Sequence, residues 1–204
     1  AHNILQHDQA LRQGDFEIRN QLPGRDVAGK TIGLIGLGRI GKLVARKAAL
    51  GLEMKVIALT SQTSGLDPWI ERVASREEFF RRSDFVSLHM PWTPETYRSV
   101  GNQELEWMKP TAFLINTARG EVIDEAALTQ ALQEKRIAGA ALDVFEREPP
   151  SSNNPLFKLS NVIVTPHSAA LTIEAMERMA LHAAQGIHDV LSGRKPQWPV
   201  NEIS

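Results

Sequence analysis

The chain of 204 residues contains no cysteine, which excludes a disulfide framework and thiolate chemistry. Its formal net charge is −1, so nothing marks nucleic acid or an anionic membrane as a partner. No apolar run approaches the ~20 residues that span a bilayer. The opening residues, Ala1-His2-Asn3-Ile4-Leu5-Gln6-His7, lack a basic start followed by an apolar core, so no secretory signal is read there and a cytoplasmic protein is expected. There is no internal repeat, no low-complexity segment and no strong linker. Ser151-Ser152-Asn153-Asn154 is polar but too short to separate domains. His182 and His188 fall on one predicted helix at a spacing that does not share a face, and no metal site is expected.

What is present is a normal apolar fraction, 42%, arranged as alternating strand and helix signals. Residues 1–25 read as an entering helix and a polar approach ending at Leu22-Pro23-Gly24. Strands are expected over residues 31–37, 55–59, 72–74, 85–88, 112–116, 138–142 and 162–164. Helices are expected over 40–50, 75–82, 103–108, 124–134 and 172–191. Ser75 and Glu78 form a capping-box pattern, Asp124 is an N-cap and Gly51 a stop. The apolar set Ile40, Leu43, Val44, Lys47 and Ala48 sits near helical period. Six or seven strands in βαβ alternation give an α/β fold. The expected form is a Rossmann-type doubly wound parallel sheet in a single domain spanning 1–204.

Gly36-Leu37-Gly38-Arg39-Ile40-Gly41 follows a strand and opens a helix. In G-x-G-x-x-G the first glycine permits the tight turn, the second lets backbone approach a pyrophosphate, and the third packs helix on strand. The helix N-terminus offers free N–H groups and a positive dipole end to the phosphates. Gly36, Gly38, Arg39, Ile40 and Gly41 are therefore cofactor-binding candidates. An acidic residue is expected about 20 positions on, to bind the ribose diol of NAD. The second strand is instead followed by Thr60-Ser61-Gln62-Thr63. Thr60 is the ribose neighbour in this reading and is neutral. With no cation nearby in sequence either, NAD is slightly favoured and NADP is left open.

Three further residues follow apolar runs: Arg119 in Asn116-Thr117-Ala118-Arg119-Gly120, Glu148 in Glu146-Arg147-Glu148-Pro149, and His167 in Val164-Thr165-Pro166-His167. Ligands of open α/β sheets bind outside the carboxyl ends of the strands. A cation, a carboxylate and an imidazole delivered to that edge suit hydride transfer to a carbonyl.

The motifs recur in one order: Gly36 to Gly41, Ser87-Leu88-His89-Met90-Pro91 with Thr93-Pro94-Glu95-Thr96, Met108-Lys109-Pro110, Leu114 to Gly120, Gly139 to Phe145 with Glu148-Pro149, and Asn161 to His167. Together they closely resemble the nucleotide-binding domain of the D-isomer-specific 2-hydroxyacid dehydrogenases. The resemblance implies interconversion of a 2-oxo acid and a D-2-hydroxy acid with NAD, or with NADP. Arg119 is then the substrate-binding residue, His167 the acid/base, and Glu148 the partner that raises the histidine pKa. Asp143 would contact the nicotinamide side, with Thr117 and Ala118 lining the same strand end. Pro91 and Thr96 would border the adenosine and ribose, and His89 would lie close to the cofactor. Small residues after His167, Ala169 among them, leave room for the nicotinamide. Glu rather than Gln at position 148 argues against formate as substrate. The resemblance also implies a homodimer and a separate substrate domain built mainly from residues preceding this domain. The glyoxylate/hydroxypyruvate reductases and phosphoglycerate dehydrogenases share these motifs. A dinucleotide-sensing, corepressor-like protein and a catalytically silent nucleotide domain are the rival readings.

Overall fold

A computed structural model describes residues 3–199. Ala1, His2 and residues 200–204, part of the expected 1–204 domain, lie outside the described residues. The backbone divides into two units, Ala1–Val164 and Thr165–Ser204.

The first unit opens with α1 (Ile4–Arg12) and a short α2 (Ile18–Gln21) that the polar sequence did not reveal. Then come β1 (Thr31–Ile35), α3 (Arg39–Gly51), β2 (Lys55–Leu59), β3 (Ile70–Arg72), α4 (Arg76–Arg82) and β4 (Phe85–Leu88). They are followed by α5 (Asn102–Trp107), β5 (Phe113–Asn116), α6 (Glu125–Gln133), β6 (Gly139–Leu142) and β7 (Val162–Val164). Two 3₁₀ turns, Gly120–Val122 and Pro155–Lys158, lie between them. The strands form one seven-stranded sheet in the order β3-β2-β1-β4-β5-β6-β7, every pair parallel. This is the expected doubly wound Rossmann-type sheet. Chain order reverses between β1 and β4, and the crevice for a ligand in such sheets opens at the carboxyl ends of those two strands.

Burial explains why these runs are strands. Ile32, Leu34, Val56 and Ala58 join one apolar cluster, while Ile35, Ile57, Val86 and Leu88 join another. Successive strand side chains point to opposite faces, so these clusters cover both sides of the sheet. The strand starts are tied together at Asp84. Its carboxylate accepts the Thr31 N–H at 2.9 Å and the Lys109 ammonium at 2.8 Å, and its carbonyl accepts the Phe113 N–H at 3.0 Å. Thr31, Phe85 and Phe113 are the first residues of β1, β4 and β5.

Helix starts follow the sequence signals. Ser75 accepts the Glu78 N–H and Asp124 accepts the Ala127 N–H. Three expectations shift. β1 ends at Ile35 rather than residue 37, because Gly36 turns the chain at φ +95°. The third strand is Ile70–Arg72 rather than 72–74, since Ile70 is the buried residue that pairs with Val56. On α3 the buried residues are Gly41, Ala45 and Ala48, whereas Ile40 and Leu43 are exposed. Small side chains let that helix lie close on the sheet, so Ile40, Leu43 and Leu50 are left facing out while Val44 packs partly on the core.

The second unit carries α7 (Ile173–Leu191), started by Thr172, whose hydroxyl accepts the Ala175 N–H. Near its end Asp189 accepts from Gln185 and Arg194, and the His182 ring stacks on Trp198 at 4.1 Å. Among the described residues no helix is long and apolar enough to cross a membrane.

Candidate functional site

The glycine turn occupies the end of β1, beside the switch point. A Cβ on Gly36 would stand 2.6 Å from the His89 carbonyl oxygen, and one on Gly41 would stand 2.3 Å from the Gly36 oxygen. Packing within the protein therefore demands glycine at both positions. Gly38 differs: a Cβ there would meet nothing within 4 Å, and its φ of −69° needs no glycine. It precedes Arg39, the first residue of α3, and no side chain caps that helix start. An exposed glycine that the fold does not require, beside uncapped helix N–H groups, fits a pyrophosphate laid against the backbone. Arg39 and Ile40 are both exposed in that first turn.

His89 closes β4 opposite the turn. Its N–H donates to the Ile35 carbonyl at 2.8 Å, and its Nε2 lies 2.9 Å from the Ser87 hydroxyl. Burial holds its pKa below the ordinary imidazole value. Further along, the Thr96 hydroxyl donates to the Pro91 carbonyl at 2.8 Å and accepts the Thr93 N–H at 2.7 Å. Pro91 and Thr96 thus belong to one closed turn.

At the end of β2 the Thr60 hydroxyl accepts the Gln62 N–H at 3.1 Å. The Thr60 carbonyl accepts from Arg72 Nε at 3.2 Å. The expectation that no cation lies near Thr60 is therefore corrected. Arg72 is distant in sequence, but the parallel register pairs it with Ala58 on β2.

The end of β5 presents Arg119. Asn116 is fully buried and works in both directions: its Nδ2 donates to the Arg119 carbonyl at 2.9 Å and its Oδ1 accepts the Ala118 N–H at 3.0 Å. The loop through Thr117 and Ala118 is thereby folded back over its own strand end. Arg119 is exposed, and its Nη1 donates to the Ala118 carbonyl at 2.6 Å. Gly120 then packs against the chain after β6: a Cβ there would fall 1.9 Å from the Phe145 carbonyl carbon.

That neighbouring loop carries Glu148. Glu148 Oε1 accepts the Phe145 N–H at 3.1 Å. Glu125 on α6 fastens the loop twice, accepting the Glu146 N–H at 3.0 Å and Asn154 Nδ2 at 2.7 Å. Arg98 Nε adds a hydrogen bond to Glu146 at 2.9 Å. Asp143 is buried just past β6, its N–H bonded to the Asn116 carbonyl at 2.9 Å. The structure therefore joins the Arg119 and Glu148 loops through Gly120 and Phe145.

Sequence reasoning missed Asn116, Gly120, Glu125, Arg98 and Arg72 as supports. A buried polar residue ending an apolar strand was the available signal for Asn116. The other contacts join segments distant in sequence and had no local signal.

His167 and Ala169 lie in the second unit and are exposed. His167 has φ +53°, and its N–H donates to the Thr165 carbonyl at 3.1 Å. The left-handed conformation is costly for a residue with a Cβ, and such strain concentrates at functional positions.

A parallel sheet with this order and a glycine turn at its switch point defines a Rossmann-type dinucleotide-binding domain. The chain belongs to the D-isomer specific 2-hydroxyacid dehydrogenase family, whose NAD binding domain matches residues 1–169. It is 43% identical over 209 residues to a glyoxylate reductase of Thermofilum pendens, covering 98% of this chain and 60% of that protein. Among solved structures it is similar to the TT0316 protein from Thermus thermophilus, with a TM-score of 0.91, 38% identity, and coverage of 98% of this chain and 64% of that one. It is also similar to an acyclic imino acid reductase (Bsp5) in complex with NADPH and D-Arg, with a TM-score of 0.87, 37% identity, and coverage of 100% and 63%. The chain thus spans somewhat under two thirds of the length of these relatives.

Proposed function

We propose that the protein to which this chain belongs interconverts a 2-oxo acid and a D-2-hydroxy acid, with glyoxylate and hydroxypyruvate as the substrates to test first. The observation that carries this reading is Arg119. It stands exposed at the carboxyl end of β5, beyond a loop locked by Asn116, and no carboxylate among the described residues pairs with it. A planar guanidinium held this way suits a substrate carboxylate and its adjacent carbonyl oxygen.

The nicotinamide, when bound, supplies or accepts the hydride. Gly36, Gly38, Arg39, Ile40 and Gly41 hold the pyrophosphate end, with Thr60, His89, Pro91 and Thr96 toward the adenosine and its ribose. Thr117, Ala118, Asp143 and Ala169 border the nicotinamide. In reduction His167 gives a proton to the carbonyl oxygen as the carbonyl carbon receives the hydride; in oxidation it takes that proton back. Glu148 is the carboxylate of this acid/base set. Arg119 holds the substrate anion and balances charge developing on the oxygen.

The test is steady-state reduction of glyoxylate and hydroxypyruvate by the full-length protein. Arg119→Ala should raise KM and lower kcat/KM by about a hundredfold or more, and His167→Asn should lower kcat by about 10²–10⁴-fold. A protein that binds dinucleotide yet reduces no 2-oxo acid would instead support the sensing role. Residues 1–204 alone should bind dinucleotide without turnover. We also propose a homodimer, supported by exposed Leu43 and Leu50 on α3. Its check is the mass in solution by light scattering.

A further inference from the structure

The end of β2 carries no acid to bind a ribose diol. A carboxylate there would hydrogen-bond the 2′-hydroxyl of NAD and repel a 2′-phosphate. Thr60, Ser61, Gln62, Thr63 and Ser64 offer hydroxyl and amide groups instead.

Arg72 changes the electrostatics of that end. β3 pairs with β2 in parallel register, Ala58 opposite Arg72. The side chain reaches past the strand end, where its Nε donates to the Thr60 carbonyl at 3.2 Å. One edge of the guanidinium is thus fixed to backbone. No ion pair to Arg72 exists among the described residues, and the residue is exposed. The adjacent carboxylate, Glu71, points to the other face of the strand and is committed to Arg82, with contacts of 2.6 and 2.7 Å. Arg82 is held in turn by Glu78. The acid nearest in sequence is therefore engaged away from Arg72, while the arginine keeps its outer N–H groups for a ligand.

We infer that Arg72 binds the 2′-phosphate of the cofactor, so that this chain takes NADPH in preference to NADH. This rests on the dinucleotide site proposed above and assigns its specificity. The guanidinium, anchored by Nε on Thr60, meets the phosphate through its remaining nitrogens. The Thr60–Ser64 loop supplies the uncharged donors around it. A phosphate here gains charge-assisted hydrogen bonds and meets no competing carboxylate.

The experiment is a binding titration of this chain with NADH and NADPH, followed by calorimetry. Adenosine 2′,5′-bisphosphate and 5′-AMP serve as probes that lack the nicotinamide. NADPH should bind about tenfold or more tightly than NADH, and the bisphosphate should outbind 5′-AMP by a similar factor. Arg72→Ala should lower NADPH affinity roughly ten- to hundredfold and change NADH affinity by less than about twofold. Unchanged NADH affinity also shows that the variant is folded. NADH bound as tightly as NADPH, or an equal loss of both in Arg72→Ala, overturns the assignment while leaving the dinucleotide site standing. If neither dinucleotide binds, the site itself fails and the assignment with it.

Discussion

Gly120 lies flat against Phe145: a Cβ on Gly120 would stand 1.9 Å from the Phe145 carbonyl carbon and 2.0 Å from its oxygen. Both partners are backbone, so neither can move aside cheaply. The contact sits between the residue that presents Arg119 and the residue whose N–H holds Glu148. Gly120→Ala must push the two loops apart. It should cost about 1–3 kcal/mol or more in urea unfolding. In the full-length enzyme it should also lower kcat/KM for the 2-oxo acid. A variant as stable and as active as the parent would remove Gly120 from the argument.

The glycine turn separates packing from binding. Gly41→Ala places a methyl 2.3 Å from the Gly36 oxygen and should destabilise the fold by about 1–3 kcal/mol. Gly38→Ala meets nothing within 4 Å and should leave the unfolding midpoint nearly unchanged, within about 0.5 kcal/mol. Its methyl nevertheless occupies the ground proposed for the pyrophosphate. Dinucleotide affinity should fall at least about tenfold. Calorimetric titration beside thermal unfolding checks both halves, and unaltered affinity in Gly38→Ala would contradict the cradle.

Local pattern made much of this legible. The sheet was readable because its strands are buried on both faces and so appear as short apolar runs. Helix starts were readable because Ser75 and Asp124 satisfy orphan N–H groups within three residues of themselves. The glycine turn was readable from spacing alone. What escaped depends on contacts between distant segments. Arg72 reaches Thr60 only through the register of two parallel strands, so the end of β2 looked uncharged. Ile40 and Leu43 matched helical period yet face outward, because Gly41, Ala45 and Ala48 allow the closer approach to the sheet. Gly120 and Asn116 fell inside a motif noticed for its arginine, and their work on that arginine needed the loop geometry.

His89 should make stability depend on pH near neutrality. Burial lowers its pKa in the folded chain, so the unfolded chain binds the proton more readily. Stability must then fall as pH drops through the ordinary imidazole value of about 6.5 toward the lower folded value. Once protonated, the ring can only donate from Nε2 to the Ser87 hydroxyl. Urea midpoints measured between about pH 7.5 and 5.5 should decline, and His89→Gln should flatten the decline. An equal slope in the variant would show that His89 does not cause the decline.

Acid should loosen the opposite edge of the sheet through Asp84. Burial acts to raise its pKa, but the hydrogen bonds from Lys109 and the Thr31 N–H outweigh that, and the net shift is downward. A carboxylate with a depressed folded pKa contributes stability above its unfolded value and loses it as pH falls through the folded one. The window therefore opens near pH 3.8 and extends below it. Asp84→Asn keeps the shape but gives up the charge that Lys109 meets. It should lower stability at neutral pH by on the order of 1 kcal/mol and reduce the acid-induced loss. Because the same carboxylate also takes the Thr31 N–H, Asp84→Ala should cost more than Lys109→Met. If the lysine variant proves the weaker of the two, the strand anchor is the ion pair rather than the backbone bond.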